Sequence, residues 1–352
     1  MDGIVTPMAH KKINLALQGG GAHGAFTWGV LDRLLECDEL EIAGISGTSA
    51  GAVNGAAYKA GMRENGRPGA RENLAWLWDR MGAMSEFPMT EWFLGELAGP
   101  ATVARMLEHS PGYQAFDLTS RMFSPYGFGP GYQNPLAGLV RDFHYSAICA
   151  DDGPKLFVSA TNVRSGKVRV FSGDDITPDA ILASACLPTA FQAVEILDQK
   201  TGRREAYWDG GYTGNPALFP LYAPQLPEDV VIVGINPLYR DALPITASEI
   251  QNRINEISFN AALLGELRAI DFVKRLLREG QIKQGTMKDV KTHMIADNEL
   301  MTELSVATKL VPTPYILQKL REAGRNAADD FLVRHWDDLG QRGTMDLAHT
   351  YK

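Results

Sequence analysis

The sequence predicts an α/β fold with parallel strands, and three observations carry that prediction. The first sixty residues alternate short apolar runs with stretches of helical period, in the order strand, helix, strand, helix. Both strand-to-helix junctions in that stretch are rich in glycine. Further along, VVIVGI at residues 230–235 has the length and β-branched content of a strand buried on both faces.

Taken in order, residues 13–18 (INLALQ) lie between lysines and glycines and read as a buried strand. A glycine-rich turn follows at 19–24. Residues 25–37 carry Phe26, Val30, Leu31, Leu34 and Leu35 at helical spacing. Residues 42–46 form a second strand, and a small-residue helix runs from 49 to about 60, with another helix over 73–81. From 82 to 141 no period persists, while Met, aromatic, Gly and Pro residues crowd together, among them Trp92, Phe93, Phe116, Phe123 and Tyr126. Irregular texture of that length inside a compact protein suggests an insertion or lid, or else an irregular subdomain with its own small core.

Strands are expected at 155–161 and 168–171, and a short helix at 180–185 before Pro188. Residues 195–197 and 205–208 pair across a polar turn. Residues 248–277 form a long amphipathic helix with Ile250, Ile254, Ile257, Ala261, Leu264, Ile270, Val273 and Leu277 near helical spacing. A late strand at 290–295 and a helix at 315–339 complete the chain. No linker or repeat divides it. The expected organisation is one domain over 1–352, with a lid-like insertion at about 82–141 and a helical C-terminal extension at about 248–352.

Composition narrows the function classes. Of 352 residues, 45% are hydrophobic and 22% charged, which excludes wholesale disorder. The net charge of −8 argues against non-specific nucleic-acid binding, which needs clustered cations. Cys37, Cys149 and Cys186 are odd in number and lack metal-ligand spacing, so neither a disulfide framework nor a metal site is expected. The first twelve residues have no apolar run of a signal peptide, and the uncharged windows 42–58 and 122–140 are too polar or too rich in Pro and Gly to span a bilayer. A soluble, cytoplasmic protein is the expectation.

Three motifs bear on chemistry. Gly47-Thr48-Ser49-Ala50-Gly51 sits where a strand meets a helix, the context in which a strained turn projects a serine nucleophile. The plainer alternative is an N-cap serine. Gln18-Gly19-Gly20-Gly21-Ala22-His23-Gly24 follows the first strand and admits two readings. As G-x-G-x-x-G it matches a dinucleotide loop, but the second strand lacks the acidic residue at its end that would hold a ribose. As consecutive glycines it presents backbone N–H groups to an oxyanion. Asp209-Gly210-Gly211 follows the strand at 205–208 and reads either as a hairpin turn or as the base a serine needs. None of the seven histidines, at 10, 23, 109, 144, 293, 335 and 349, lies in a comparable strand-end context.

Together GGGAHG, GTSAG, the ASACLPTAF segment at 183–191 and Asp209-Gly210-Gly211 with Asn215-Pro216 resemble the patatin-like phospholipase family of serine acyl hydrolases, over roughly 13–237. The resemblance implies a three-layer α/β/α fold and a Ser–Asp dyad, with Ser49 as nucleophile and Asp209 as base. It implies an oxyanion hole at Gly19, Gly20 and Gly21, and no metal or cofactor. His23 departs from the pattern, since many members carry Arg or Lys there. With an ordinary imidazole pKa of about 6.5, His23 is expected to be mostly neutral at pH 7. The expected substrate is a lipid or fatty-acyl ester, with Trp92 and Phe93 contacting the acyl chain and room for peripheral contact with a membrane. The competing readings are a dinucleotide-dependent oxidoreductase using residues 19–24 and a catalytically silent binding module.

Overall fold

The computed structural model describes residues 10–84, 99–199 and 201–350. Its sheet comprises β1 (Lys11–Leu17), β2 (Leu40–Thr48), β3 (Lys155–Asn162), β4 (Val168–Ser172), β5 (Val194–Asp198), β6 (Arg203–Asp209), β7 (Asp229–Gly234) and β8 (Lys291–Ala296). The order is β5-β6-β3-β2-β1-β7-β8, with β4 also on β3. The run β3-β2-β1-β7-β8 is parallel, whereas β4 and β6 join β3 antiparallel, as β5 joins β6.

Alternation along the central strands divides the core into two layers. Ile13, Leu15 and Leu17 of β1 and Val231 and Val233 of β7 point into one cluster, with Phe26, Leu31, Leu74 and Leu320. Ala16 of β1 and Val230 and Ile232 of β7 point into the other, with Leu218, Leu263 and Leu267. The first layer is filled by α1 (Gly24–Leu34), α2 (Ala50–Ala83) and the C-terminal helix Pro314–His335, the second mainly by the long helix Ala247–Arg278. A mostly parallel sheet covered on both faces is the three-layer α/β/α fold of the expectation.

The two helices foreseen at 49–60 and 73–81 are both present within α2, separated by a kink at Asn65 and Gly66, where Gly66 takes φ 61°. Two other local expectations are corrected. Residues 99–141 are more regular than their composition suggested. Helices Pro100–Glu108 and Pro111–Met122 form there, each with proline in its first turn, and Ser110 caps the second by accepting from the Tyr113 N–H. The buried face of the first is Val103, Ala104 and Leu107, a helical spacing obscured by the surrounding aromatics. In helix Ala247–Arg278 the packed apolar residues are Phe259, Leu263, Leu267, Ile270 and Leu277, so Ile270 and Leu277 are buried as expected while Ile250, Ile254 and Ile257 are exposed. The N-terminal half of that helix packs through Glu256, Phe259 and Asn260, a largely polar face, so the isoleucine periodicity there marks no packed face.

Candidate active site

The register around β3 decides where the chemistry sits. β4 pairs with residues 157–161 along one edge of β3. The other edge is shared: β2 occupies it up to Thr48 opposite Ser159, and β6 takes over with Asp209 opposite Ala160. The C-terminal ends of β2 and antiparallel β6 therefore meet head to head on consecutive residues of one strand, which brings the Ser49 turn beside Asp209.

Ser49 follows β2 with φ 53° and ψ −122°, the one non-glycine residue with positive φ among those described. An L-residue holds such a conformation only where its surroundings over-determine it. Here the Ser49 N–H donates to Ser184 Oγ at 2.9 Å, and Ser184 Oγ donates to the Ser159 carbonyl at 2.6 Å. The glycine after the turn is required by contact: a Cβ at Gly51 would lie 2.1 Å from the Leu17 carbonyl oxygen. Thus Ser184, within the 183–191 segment that had no assigned role, anchors the turn.

Asp209 is wholly buried. Its N–H donates to the Cys186 carbonyl at 2.8 Å and its carbonyl accepts from Thr161 Oγ1 at 2.8 Å. Oδ1 accepts the Gly211 N–H at 2.7 Å, and Oδ2 has no hydrogen-bond partner. Burial pushes the carboxyl up to about 7, against the lowering pull of the Gly211 N–H and the nearby Ser49 hydroxyl. The chain after Asp209 enters a 3-10 turn, Gly210–Tyr212, rather than the tight hairpin that Asp-Gly alone suggests.

The glycine loop is less uniform than the motif implied. The Gly19 N–H donates to Asn215 Oδ1 at 2.6 Å, and its carbonyl accepts from Asn236 Nδ2 at 2.8 Å. Gly19 is thus withdrawn from the expected oxyanion set, because its donor is already engaged. Gly20 and Gly21 line the cavity with Ser49 and Asp209. Gln18 ties this loop to the sheet by accepting from the Ile235 N–H at 2.9 Å and the Asn236 N–H at 3.1 Å. The ribose acid of the dinucleotide reading has no counterpart, since β2 ends in Thr48 and the Ser49 turn.

His23 is buried, with Nε2 2.8 Å from Thr308 Oγ1. That hydroxyl already donates to the Ser305 carbonyl, so the imidazole supplies the proton and is assigned as the Nε2–H tautomer. Burial first, then the positive charges of Lys309 and Arg240, hold its pKa well below the ordinary value. Neutral His23 is the expected state. His293 is buried against Asp229 and Thr344, and His335 pairs with Asp338; neither lines the Ser49 cavity.

The cavity measures ≈ 390 Å³ and has walls of Tyr113, Phe116, Leu187, Tyr212, Phe259 and Leu310. That volume suits a small ligand or part of a larger one. Tyr212 and Phe259 meet edge to face with centroids 5.2 Å apart. A larger open depression of ≈ 690 Å³ lies between β8 and helix Pro314–His335 and contains none of these groups. Trp92 and Phe93, expected on the acyl chain, lie outside the described residues. Among the described residues no cluster of potential ligands could hold a metal ion, and no helix is long and apolar enough to cross a membrane.

A family model described as patatin-like phospholipase matches residues 15–222. No curated protein matches the sequence. Among solved structures, VipD from Legionella pneumophila is similar at 14% identity and a TM-score of 0.40, over 93% of this chain and 67% of that one.

Proposed function

The chain belongs to the patatin-like phospholipase family, and we propose that within it the protein acts as a serine lipid acyl hydrolase with Ser49 as nucleophile and Asp209 as base. One observation carries the reading: a serine held at positive φ shares a cavity with a buried, partly unpartnered carboxylate and with Gly20 and Gly21. Ser49 Oγ attacks the ester carbonyl while its proton passes to Asp209. The tetrahedral oxyanion is received by the N–H groups of Gly20 and Gly21. Collapse expels the alcohol, which takes the proton from Asp209, and water then attacks the acyl-enzyme by the same route in reverse.

An ordinary carboxylate, near 3.9, is a poor base for a serine hydroxyl. Burial brings Asp209 to about 7, into the range where a base is both unprotonated at working pH and strong enough to matter. The aromatic and aliphatic walls favour an acyl chain over a small polar acid. Exposed Phe116, Leu118, Met122 and Phe123 on the neighbouring helix Pro111–Met122 and its end add support for a substrate drawn from a lipid surface.

Labelling with a fluorophosphonate tests the assignment. The wild type is expected to take one label on Ser49 and to release fatty acid from phospholipid or monoacylglycerol, while Ser49→Ala takes none and loses turnover by roughly 10³-fold or more. Labelling or turnover retained by Ser49→Ala would overturn it.

A further inference from the structure

Lys309 belongs to the short helix Val306–Leu310, beyond the residues matched by the family model. Its side chain is only 15% exposed and lines the cavity that holds Ser49. An ammonium has three donors. Here one makes a hydrogen bond of 3.3 Å to Asn236 Oδ1, and the nearest carboxylate, Glu256, stands 3.7 Å away.

Glu256 neutralises it only in part. That carboxylate is fully buried and already bound through both oxygens to Arg240, each at 2.8 Å, with Arg253 a third partner at 3.3 Å. One negative charge thus faces three positive ones. Burial and the repulsion from Arg240 lower the pKa of Lys309, against the pull of Glu256, and the same positive field depresses His23. An excess of positive charge on the wall of a low-dielectric cleft attracts an anion from the ligand side. The carboxyls lining the same cavity are Asp209 and Asp117.

We infer that Lys309 receives an anionic group of the substrate, a phosphate or carboxylate carried a few bonds from the scissile ester, and so selects charged acyl esters over neutral ones. This rests on the reading of Ser49 as the nucleophile, which fixes where the ester lies. It does not rest on catalysis for its test.

The test is equilibrium binding to Ser49→Ala protein of three ligands with one acyl chain: a monoacyl glycerophosphate, a monoacylglycerol and a monoacylglycerol hemisuccinate. The phosphate ligand is expected to bind about tenfold or more tightly than the neutral one, the scale of one charge-assisted contact. Adding Lys309→Met should bring that ratio close to one, and Lys309→Arg should keep most of it. A hemisuccinate that matches the phosphate identifies charge alone as the signal; one that matches the neutral ligand identifies a phosphate site. No preference for either anion in the Ser49→Ala protein overturns the inference without any change at Lys309. Equal weakening of all three ligands by Lys309→Met also overturns it, because that is the signature of a prop for Asn236 and the Gly19 loop. Failure of fluorophosphonate labelling in the wild type would instead remove the nucleophile assignment.

Discussion

At the floor of the cavity Ser49 is 7% exposed and Asp209 not at all; Ser184 anchors the first, and Cys186, Thr161 and Gly211 hold the second. At the rim Phe116 is 46% exposed, and Met122 and Phe123 at the end of the same helix exceed 60%. The floor is built of glycines that touch backbone and of buried, hydrogen-bonded polar groups. The rim is built of large apolar side chains that touch little. A floor of this kind suits chemistry, where small displacements of reacting groups are costly. A rim of this kind suits selection among chains of different length, where each methylene counts modestly.

Substitution at the base tests the floor most severely. Asp209→Asn is expected to cut kcat/KM by roughly 10³-fold, since the amide cannot take the proton. In the wild type kcat/KM should fall as pH drops below about 7, where Asp209 becomes protonated. Stability should move the other way. The folded carboxyl is raised from 3.8 to about 7, so the native state holds a proton that the unfolded chain releases. That contribution is complete below 3.8 and is lost as pH rises through about 7. Urea unfolding at pH 5 and pH 8 should therefore show a loss in the wild type that Asp209→Asn does not share. Parallel pH dependence in both proteins would detach the carboxylate from the site.

The glycine loop offers a sharper division within the floor. Gly21 has φ 60°, and a Cβ there would lie 2.2 Å from the Lys309 carbonyl oxygen. Gly21→Ala is expected to destabilise the fold by about 2 kcal/mol or more and to reduce turnover with it. Gly20→Ala meets only the tip of Ile235, at 3.0 Å, which can turn aside. Its melting temperature should stay within a few degrees, while kcat falls about tenfold at little change in KM. An effect of Gly20→Ala confined to KM would make the loop a substrate contact.

At the rim the expected effect is smallest. Phe116→Ala should leave the melt nearly unchanged, since the ring is half exposed, and should lower activity on long acyl chains more than on short ones. The shift amounts to roughly 0.8 kcal/mol for each methylene whose contact is lost. p-Nitrophenyl esters of graded length, beside a thermal melt, read both quantities. Equal loss at every length would assign Phe116 to the fold rather than to the acyl site.

Much of the architecture was legible because it is local. The strand at β1, its glycine turn, the helix after it and the Gly47–Gly51 turn each declare themselves within a few residues, through apolar period and the backbone freedom of glycine. The packed face of helix Ala247–Arg278 was legible only toward its C-terminal end, at Ile270 and Leu277, since Ile250, Ile254 and Ile257 keep a helical spacing whether or not a core lies beneath them. The aromatics of 99–141 hid two ordinary helices for a related reason: side-chain size says little about which face is covered.

What the sequence by itself determined is the set of turns and periods: an α/β order, a strained serine, a run of glycines and an Asp at a strand end. Only the tertiary structure decided which of these lie together. Asp209 reaches Ser49 because β2 and β6 divide one edge of β3, a matter of register that no local pattern records. The Gly19 N–H is engaged because Asn215, 196 positions away, accepts it. Lys309 enters the cavity from a segment with no motif at all. Local conformation is set by neighbours in sequence, whereas the partner of a buried polar group is whichever group folding brings within reach.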